Sequence, residues 1–338
     1  MAPFVCEALA PVVQSSAGEG ARARRLLSRR SELGLRVVCA RGRLPPAKTS
    51  ASEEVGASGT RPPRPCPVAV GQAMAARRQM DGVLGIYDDF AAALASDAGA
   101  ESEAQAAADT LATRYLDEQL LHHNTFVTDN RDYKQVVLVG CATDTRPFRL
   151  PWFEGTVIYM LAPPEAHQHA AAALKELPEA VVPRGCLLRR VGVDLQRGEG
   201  MDQHLAKAGF QSDRLSVWGL QGLGELGLSE EQCGDLMLDI SCLAAFGSQV
   251  CGELWAQDKQ TVANLLAGLG LLGHVAGMEE MAAENGRLWD VAKAGGAGAS
   301  RWLFRCEQQR LSLAQMDTYG AHVAAAEETD EDFFDNFS

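Results

Sequence analysis

After Asn130 the chain alternates between two patterns. Short apolar or alternating runs bounded by turn residues fall at 135–139, 156–161, 186–193, 214–219, 248–254, 271–276 and 301–307. Their lengths and β-branched content predict strands. Between them 164–177, 200–208, 229–245 and 258–270 read as helices. Strand–helix alternation at these lengths implies a mostly parallel, doubly wound α/β sheet. Ahead of it the pattern is helical from about Met74, through Asp88-Asp89-Phe90 to Ala95, and again from Glu101 to His122. Residues 41–70 hold Pro45-Pro46 and Arg61-Pro62-Pro63-Arg64-Pro65 and predict a linker without regular structure. The last strand, Arg301 to Cys306, follows a Gly295-Gly296-Ala297-Gly298 loop.

Charge divides the chain more sharply than hydropathy does. Residues 1–70 carry eleven Lys/Arg against five Asp/Glu, and the remaining chain 20 against 39, so +6 precedes −19. A basic, Arg- and Ser-rich, acid-poor leader has the composition of an organelle transit peptide. Val37-Val38-Cys39-Ala40 resembles a chloroplast processing site, with a mitochondrial or cytoplasmic location, or an uncleaved basic tail, as the other readings. The acidic body argues against a nucleic-acid surface, which needs clustered Lys/Arg. No apolar run approaches the roughly 20 residues of a membrane span. The nine cysteines contain no Cys-x-x-Cys pair and the seven histidines no ligand spacing, so no metal is expected. His122-His123 and His167/His169 read as surface or first-turn helix residues. The domain reading is a leader and linker at 1–70, one domain at 71–325, and an acidic tail at 326–338. That tail, with Phe333, Phe334 and Phe337, is a solvated end or a docking motif for a protein partner.

The most specific motif is Gly140-Cys141-Ala142-Thr143-Asp144-Thr145-Arg146-Pro147-Phe148-Arg149-Leu150, directly after the strand at 135–139. A glycine at the carboxyl end of the first strand lets backbone approach a nucleotide-like ligand. With the downstream segments it resembles the S-adenosylmethionine-dependent methyltransferase family of leucine carboxyl methyltransferases and polyketide O-methyltransferases. The resemblance implies a Rossmann-like class I methyltransferase fold, mostly parallel with an antiparallel last strand, plus N-terminal helices, and S-adenosyl-L-methionine as cofactor. It assigns Arg114 to the cofactor's carboxylate, with an ordinary ion pair to Asp117 or Glu118 as the alternative. Gly140, Asp144 and Arg146 form the turn, with Asp144 also able to cap it and Arg146 able to act from behind the ligand. Val191-Gly192-Val193-Asp194-Leu195 places Asp194 and Leu195 at the adenine, unless Asp194 only caps a turn. Gln221 stands where the family carries glutamate.

Several positions depart from the family. Ala142 replaces a second glycine, Glu225 replaces a tyrosine, and Met160 and Ala162 replace the acids that hold the ribose hydroxyls. Glu165 is a substitute only if its loop is rearranged. The leading expectation is an enzyme that methylates a carboxylate or hydroxyl of a small molecule or protein. The alternative is a catalytically degenerate fold kept as an organellar binding or assembly module. A nicotinamide oxidoreductase lacks both its full glycine turn and its acidic second-strand end. Catalytic residues are not assigned; Asp144, Glu225 and His204 are the candidate bases, and a carboxylate acceptor needs none.

Overall fold

A computed structural model of the chain describes residues 64–79, 88–95, 102–125, 133–294, 296 and 300–318. All of these belong to the second of two units, Met1–Thr60 and Arg61–Ser338. The leader through residue 63 and the tail at 326–338 lie outside the described residues.

All seven expected strands are present within two residues of their expected bounds: β1 Gln135–Val139, β2 Val157–Ala162, β3 Leu187–Gly192, β4 Ser216–Leu220, β5 Gln249–Trp255, β6 Leu271–Gly277 and β7 Arg301–Gln308. They form one sheet in the order β3-β2-β1-β4-β5-β7-β6. The pairs β1–β2, β1–β4, β2–β3 and β4–β5 are parallel, and β7 runs antiparallel to both β5 and β6. The order reverses between β1 and β4, which is where such sheets open a crevice at their carboxyl edge.

The helices are α1 Pro67–Gln79, α2 Ala91–Leu94, α3 Glu103–Thr125, α4 Arg146–Arg149, α5 Pro164–Leu174, α6 Asp202–Lys207, α7 Glu230–Leu243, α8 Lys259–Gly268 and α9 Ala282–Ala294. Caps fix two of their starts: Ser229 and Gln232 form a capping box on α7, and Asp258 accepts from Thr261 N–H on α8. On one face Val137, Leu161, Trp218 and Val250 pack with Met237 and Ile240 of α7 and Val262 and Leu266 of α8. On the other, Leu116 and Leu120 of α3 press on Val136, Leu138 and Val217. Each such fully buried side chain contributes about 1.5–3 kcal/mol. Trp218 is wholly buried, stacks edge-on to Phe210 at 5.5 Å, and donates its indole N–H to Ser216 Oγ at 2.9 Å.

Three expectations need correction. Helix α1 begins inside the segment read as linker, because proline suits a first helical position, where its missing N–H costs nothing. Helix α9 was not expected at all; it packs Leu288 and Ala292 on Ala108, Leu111 and Ala112 of α3. His167 lies in the first turn of α5, one of its two readings, but it is not a surface residue: it is buried with Nε2 3.2 Å from the Val191 carbonyl. Burial also pushes its pKa down. Among the described residues no helix is long and apolar enough to cross a membrane, and no group of three or more His, Cys, Asp or Glu is placed to hold a metal.

Candidate functional site

The site is built on the turn after β1. Gly140 has φ +145°, and a Cβ there would sit 1.8 Å from the Gln221 carbonyl oxygen, so the adjoining end of β4 itself demands glycine. Asp144 then caps the turn. It accepts from the Arg146 N–H at 2.9 Å and from Arg146 Nη1 at 2.8 Å. Arg146 is buried, and its remaining nitrogens are engaged as well: Nε donates to Asp117 at 2.6 Å and Nη2 to Gln221 Oε1 at 2.6 Å. Gln221 donates onward to Thr113 Oγ1 at 3.0 Å. Arg149 forks onto Asp117 at 2.5 and 3.0 Å. Burial opposes the charge on Asp144, but Arg146, through its guanidinium and its N–H, together with Arg78 and Arg149 outweighs it and holds the carboxyl below its ordinary range. Burial likewise opposes the charge on Arg146, and Asp144 and Asp117 reverse that effect. Four of the expected residues, Gly140, Asp144, Arg146 and Gln221, are therefore brought together, with the Arg146 guanidinium bonded to Asp117, Asp144 and Gln221.

Helix α1 closes over this turn. Thr143 Oγ1 donates to the Gly71 carbonyl at 2.9 Å, and Arg78 bonds the Thr143 carbonyl at 2.5 Å and Asp88 at 3.2 Å. Met74 Sδ lies 3.1 Å from Cys141 Sγ. The space left between them is a cavity of about 10 Å³, lined by Met74, Thr113, Cys141, Arg146 and Gln221 among others. That is about the room of one water.

Behind the turn lies a second ionic group that the sequence reading missed. Arg77 of α1 bonds Asp109 of α3, and Arg301 of β7 bonds both Asp109 and Glu253 of β5 at 2.6 Å. Glu253 in turn accepts from the Gly222 N–H at 2.9 Å, which pins the backbone just past β4. Burial, reinforced by Glu225 and opposed by Arg301, pushes the Glu253 carboxyl up to about 7. A signal existed: charges inside apolar strand runs, Glu253 in Val250–Trp255 and Arg301 before Trp302-Leu303-Phe304, require buried partners.

Along the edge toward β3 the chemistry changes. Met160 and Ala162 are buried, and Ala162 and Ala142 pack with Ala75 of α1, Phe90 and Ala166. Glu165 is exposed in the first turn of α5. Past β3, Asp194 accepts from the Arg197 N–H at 3.2 Å and pairs with the Arg197 side chain at 3.0 Å, while Leu195 is buried in the core. Asp194 thus caps a short 3-10 turn, Leu195–Arg197. Arg114 is half-buried on α3, beside Thr113. His204 sits on α6, which packs beside β3.

The chain is similar to known methyltransferases. The model of the leucine carboxyl methyltransferase family matches residues 66–236, from α1 into α7. The rice (Oryza sativa subsp. japonica) protein named "O-methyltransferase 1, chloroplastic" is 32% identical over 67% of this chain and 63% of its own length. A Mycobacterium avium protein named "Putative S-adenosyl-L-methionine-dependent methyltransferase" is 32% identical over 44% of this chain and 45% of its own. The match thus spans less than two thirds of either relative's length. A DUF574 family protein from Streptomyces avermitilis superposes with a TM-score of 0.44 at 10% identity, covering 69% of this chain and 97% of that one.

Proposed function

The chain belongs to the leucine carboxyl methyltransferase family, and from that premise we propose that it transfers the methyl group of S-adenosyl-L-methionine to an oxygen of its acceptor, a carboxylate or hydroxyl of a small molecule or protein. The observation that carries this reading is that the family match encloses the whole β1-to-β4 ligand edge, with polar groups kept at both of its ends.

The residues present suit the two polar ends of the donor. The half-buried Arg114 supplies a guanidinium fork for a carboxylate. Asp194 meets the Arg197 amide and guanidinium with its oxygens and retains lone pairs for an exocyclic amine. The middle differs: Met160 and Ala162 offer nothing to ribose hydroxyls, so the grip rests on the ends. When bound, the donor supplies an electrophilic methyl on a cationic sulfur. The chain's own part is alignment and exclusion of water. Arg146 locks Asp117, Asp144 and Gln221 in one arrangement, and helix α1 covers them. A cleft of about 310 Å³ at the ends of β4 and β5, lined by Leu223, Leu228, Leu254 and Trp255, is within the size range of small-molecule sites and would take the acceptor. Asp144 is a poor proton acceptor because Arg146 holds it ionised, which favours a carboxylate acceptor or a base elsewhere. The rice relative's name and the basic leader support a chloroplast location.

Titration calorimetry of S-adenosylhomocysteine into the full chain tests the reading. Saturable micromolar binding, weakened about tenfold or more by Asp194→Ala, is expected. A folded protein that binds nothing at millimolar ligand sinks it and leaves a binding or assembly module.

A further inference from the structure

The cleft at the ends of β4 and β5 has walls whose chemistry narrows the acceptor. Leu223 and Leu228 come from the loop after β4, and Leu254 and Trp255 from the end of β5. A single exposed apolar residue is ordinary, but Trp255, 37% exposed, shares one concavity with three leucines. Its indole lies against bare backbone, since a Cβ at Gly224 would sit 2.4 Å from Trp255 Nε1. Trp152, Trp218 and Trp302 each give their indole N–H to a protein acceptor. Among the described residues Trp255 has none, so the cleft offers an aromatic ring with an unused donor.

Charge excludes as much as shape admits. None of the residues lining the cleft is Lys or Arg, and Glu230 is among them. A carboxylate acceptor would meet no counter-ion there and one like charge. A cationic acceptor gains little from the ring, because the buried Arg301 guanidinium already stands 5.4 Å from the indole centroid. The remaining polar groups, Gln257, Ser300 and the indole N–H, suit a neutral oxygen. No histidine lines the cleft, and a carboxylate is a weak base. That suits a phenol, whose proton is about as acidic as tyrosine's at about 10, better than an alkyl alcohol.

We propose that this cleft takes an uncharged, hydroxylated aromatic acceptor of about two rings, and that Trp255 is the residue that selects it. This rests on the methyl transfer proposed above and narrows its acceptor to a phenolic hydroxyl. The size follows from the volume, about 310 Å³, near the lower end for small-molecule sites. The placement follows from the loop after β4: Gly222 abuts Met74 and Cys141 at the turn after β1, and the next residues, Leu223 and Gly224, line the cleft. Methylation there forms an O–C bond as the S–C bond breaks, leaves the electron pair on sulfur, and releases the phenolic proton to water. Cys233 also lines the cleft, but burial, reinforced by Glu230, pushes its thiol up to about 11, so it does not compete for the methyl group.

The test is calorimetry on the full chain saturated with S-adenosylhomocysteine, at about pH 7, where a phenol is neutral and a carboxylate ionised. The probes are 2-naphthol, 2-naphthoate, which replaces the hydroxyl by a charge, and 2-decalol, which keeps the hydroxyl and loses the aromatic rings. The first is expected to bind about tenfold or more tightly than either of the others. Trp255→Phe, which keeps a ring without the donor, should weaken 2-naphthol about two- to tenfold, and Trp255→Leu about tenfold or more. Affinity for S-adenosylhomocysteine should stay within about twofold in both variants, which shows that they are folded. Equal binding of 2-naphthoate or 2-decalol overturns the proposal, and so does 2-naphthol binding that survives in Trp255→Leu. Should that variant fail to fold, Trp255→Phe and the three probes on the wild type decide. A chain that binds S-adenosylhomocysteine but not 2-naphthol overturns this acceptor and leaves methyl transfer standing. Failure to bind S-adenosylhomocysteine overturns the functional reading and this inference with it.

Discussion

The ligand edge of this sheet has two halves built from opposite materials. At the ends of β1, β4 and β5 the floor is ionic, with Arg77, Arg146, Arg149 and Arg301 locked against buried carboxylates. At the end of β2 it is apolar, with Met160 buried and Ala162 and Ala142 packed with other alanines and Phe90. One helix covers both: α1 sends Arg77 and Arg78 to the first half and Ala75 to the second. The contrast follows the charge of the proposed ligand. Its methionyl part is charged and its ribose is neutral, so an ionic floor suits the first and an apolar floor can lie beside the second. The ionic half is also the half that fixes backbone, through the Gly222 N–H and the Asp144 cap.

The largest way to break this division is Arg146→Leu. The leucine leaves Asp117 with Arg149 alone, and deprives Asp144 and Gln221 of the same guanidinium. Removing one partner from a buried ion-pair group costs about 3–5 kcal/mol. Urea unfolding should show that loss as a lower midpoint at unchanged slope. A change below about 1 kcal/mol would mean the floor is wetter than its burial indicates.

How far each half was legible in the sequence follows from how local its signals are. The strands are readable because buried parallel strands are short apolar runs, as β1 at 135–139 is. The cap by Asp144 is readable as one of its two roles because it acts within its own turn, whereas the demand for glycine at 140 comes from the Gln221 carbonyl rather than from the ligand that the sequence suggests. The ionic half was not, because Arg77, Asp109, Glu253 and Arg301 are distant in sequence and meet only once α1, α3, β5 and β7 are assembled. Helix α9 escaped because Gly286 and Asn285 weaken its helical signal, and its burial against α3 supplies what propensity does not. At Asp194 the sequence left capping and ligand contact open; the fold displays the cap, and calorimetry of Asp194→Ala addresses the contact.

A smaller effect sharpens the comparison through pH. The Glu253 carboxyl is pushed above its ordinary value to about 7, chiefly by burial, so the native state holds a proton that the unfolded chain releases. Its contribution to stability is complete below the unfolded value, about 4.5, and is lost as pH rises through about 7. Unfolding free energy should therefore fall across that window with a slope of at most about 1.4 kcal/mol per pH unit. Glu253→Gln, which keeps an acceptor for Gly222 but cannot ionise, should flatten the slope. A slope that survives in the variant would move the titration to another group.

The smallest effect is expected from the apolar half. Met160 is buried at the end of β2, paired in register with Leu138 of β1 and Arg190 of β3. Its thioether makes no hydrogen bond that the division of the edge depends on, so a side chain of like volume should serve. Met160→Leu is a volume-conserving exchange and should cost less than about 1.5 kcal/mol. Its sharper readout is affinity for S-adenosylhomocysteine, which should stay within about threefold of wild type if the ends of the ligand carry the grip. A larger loss would show that the β2 end still touches the ribose through shape. The apolar floor would then be a working surface of the site, and the ionic half would no longer account for binding by itself.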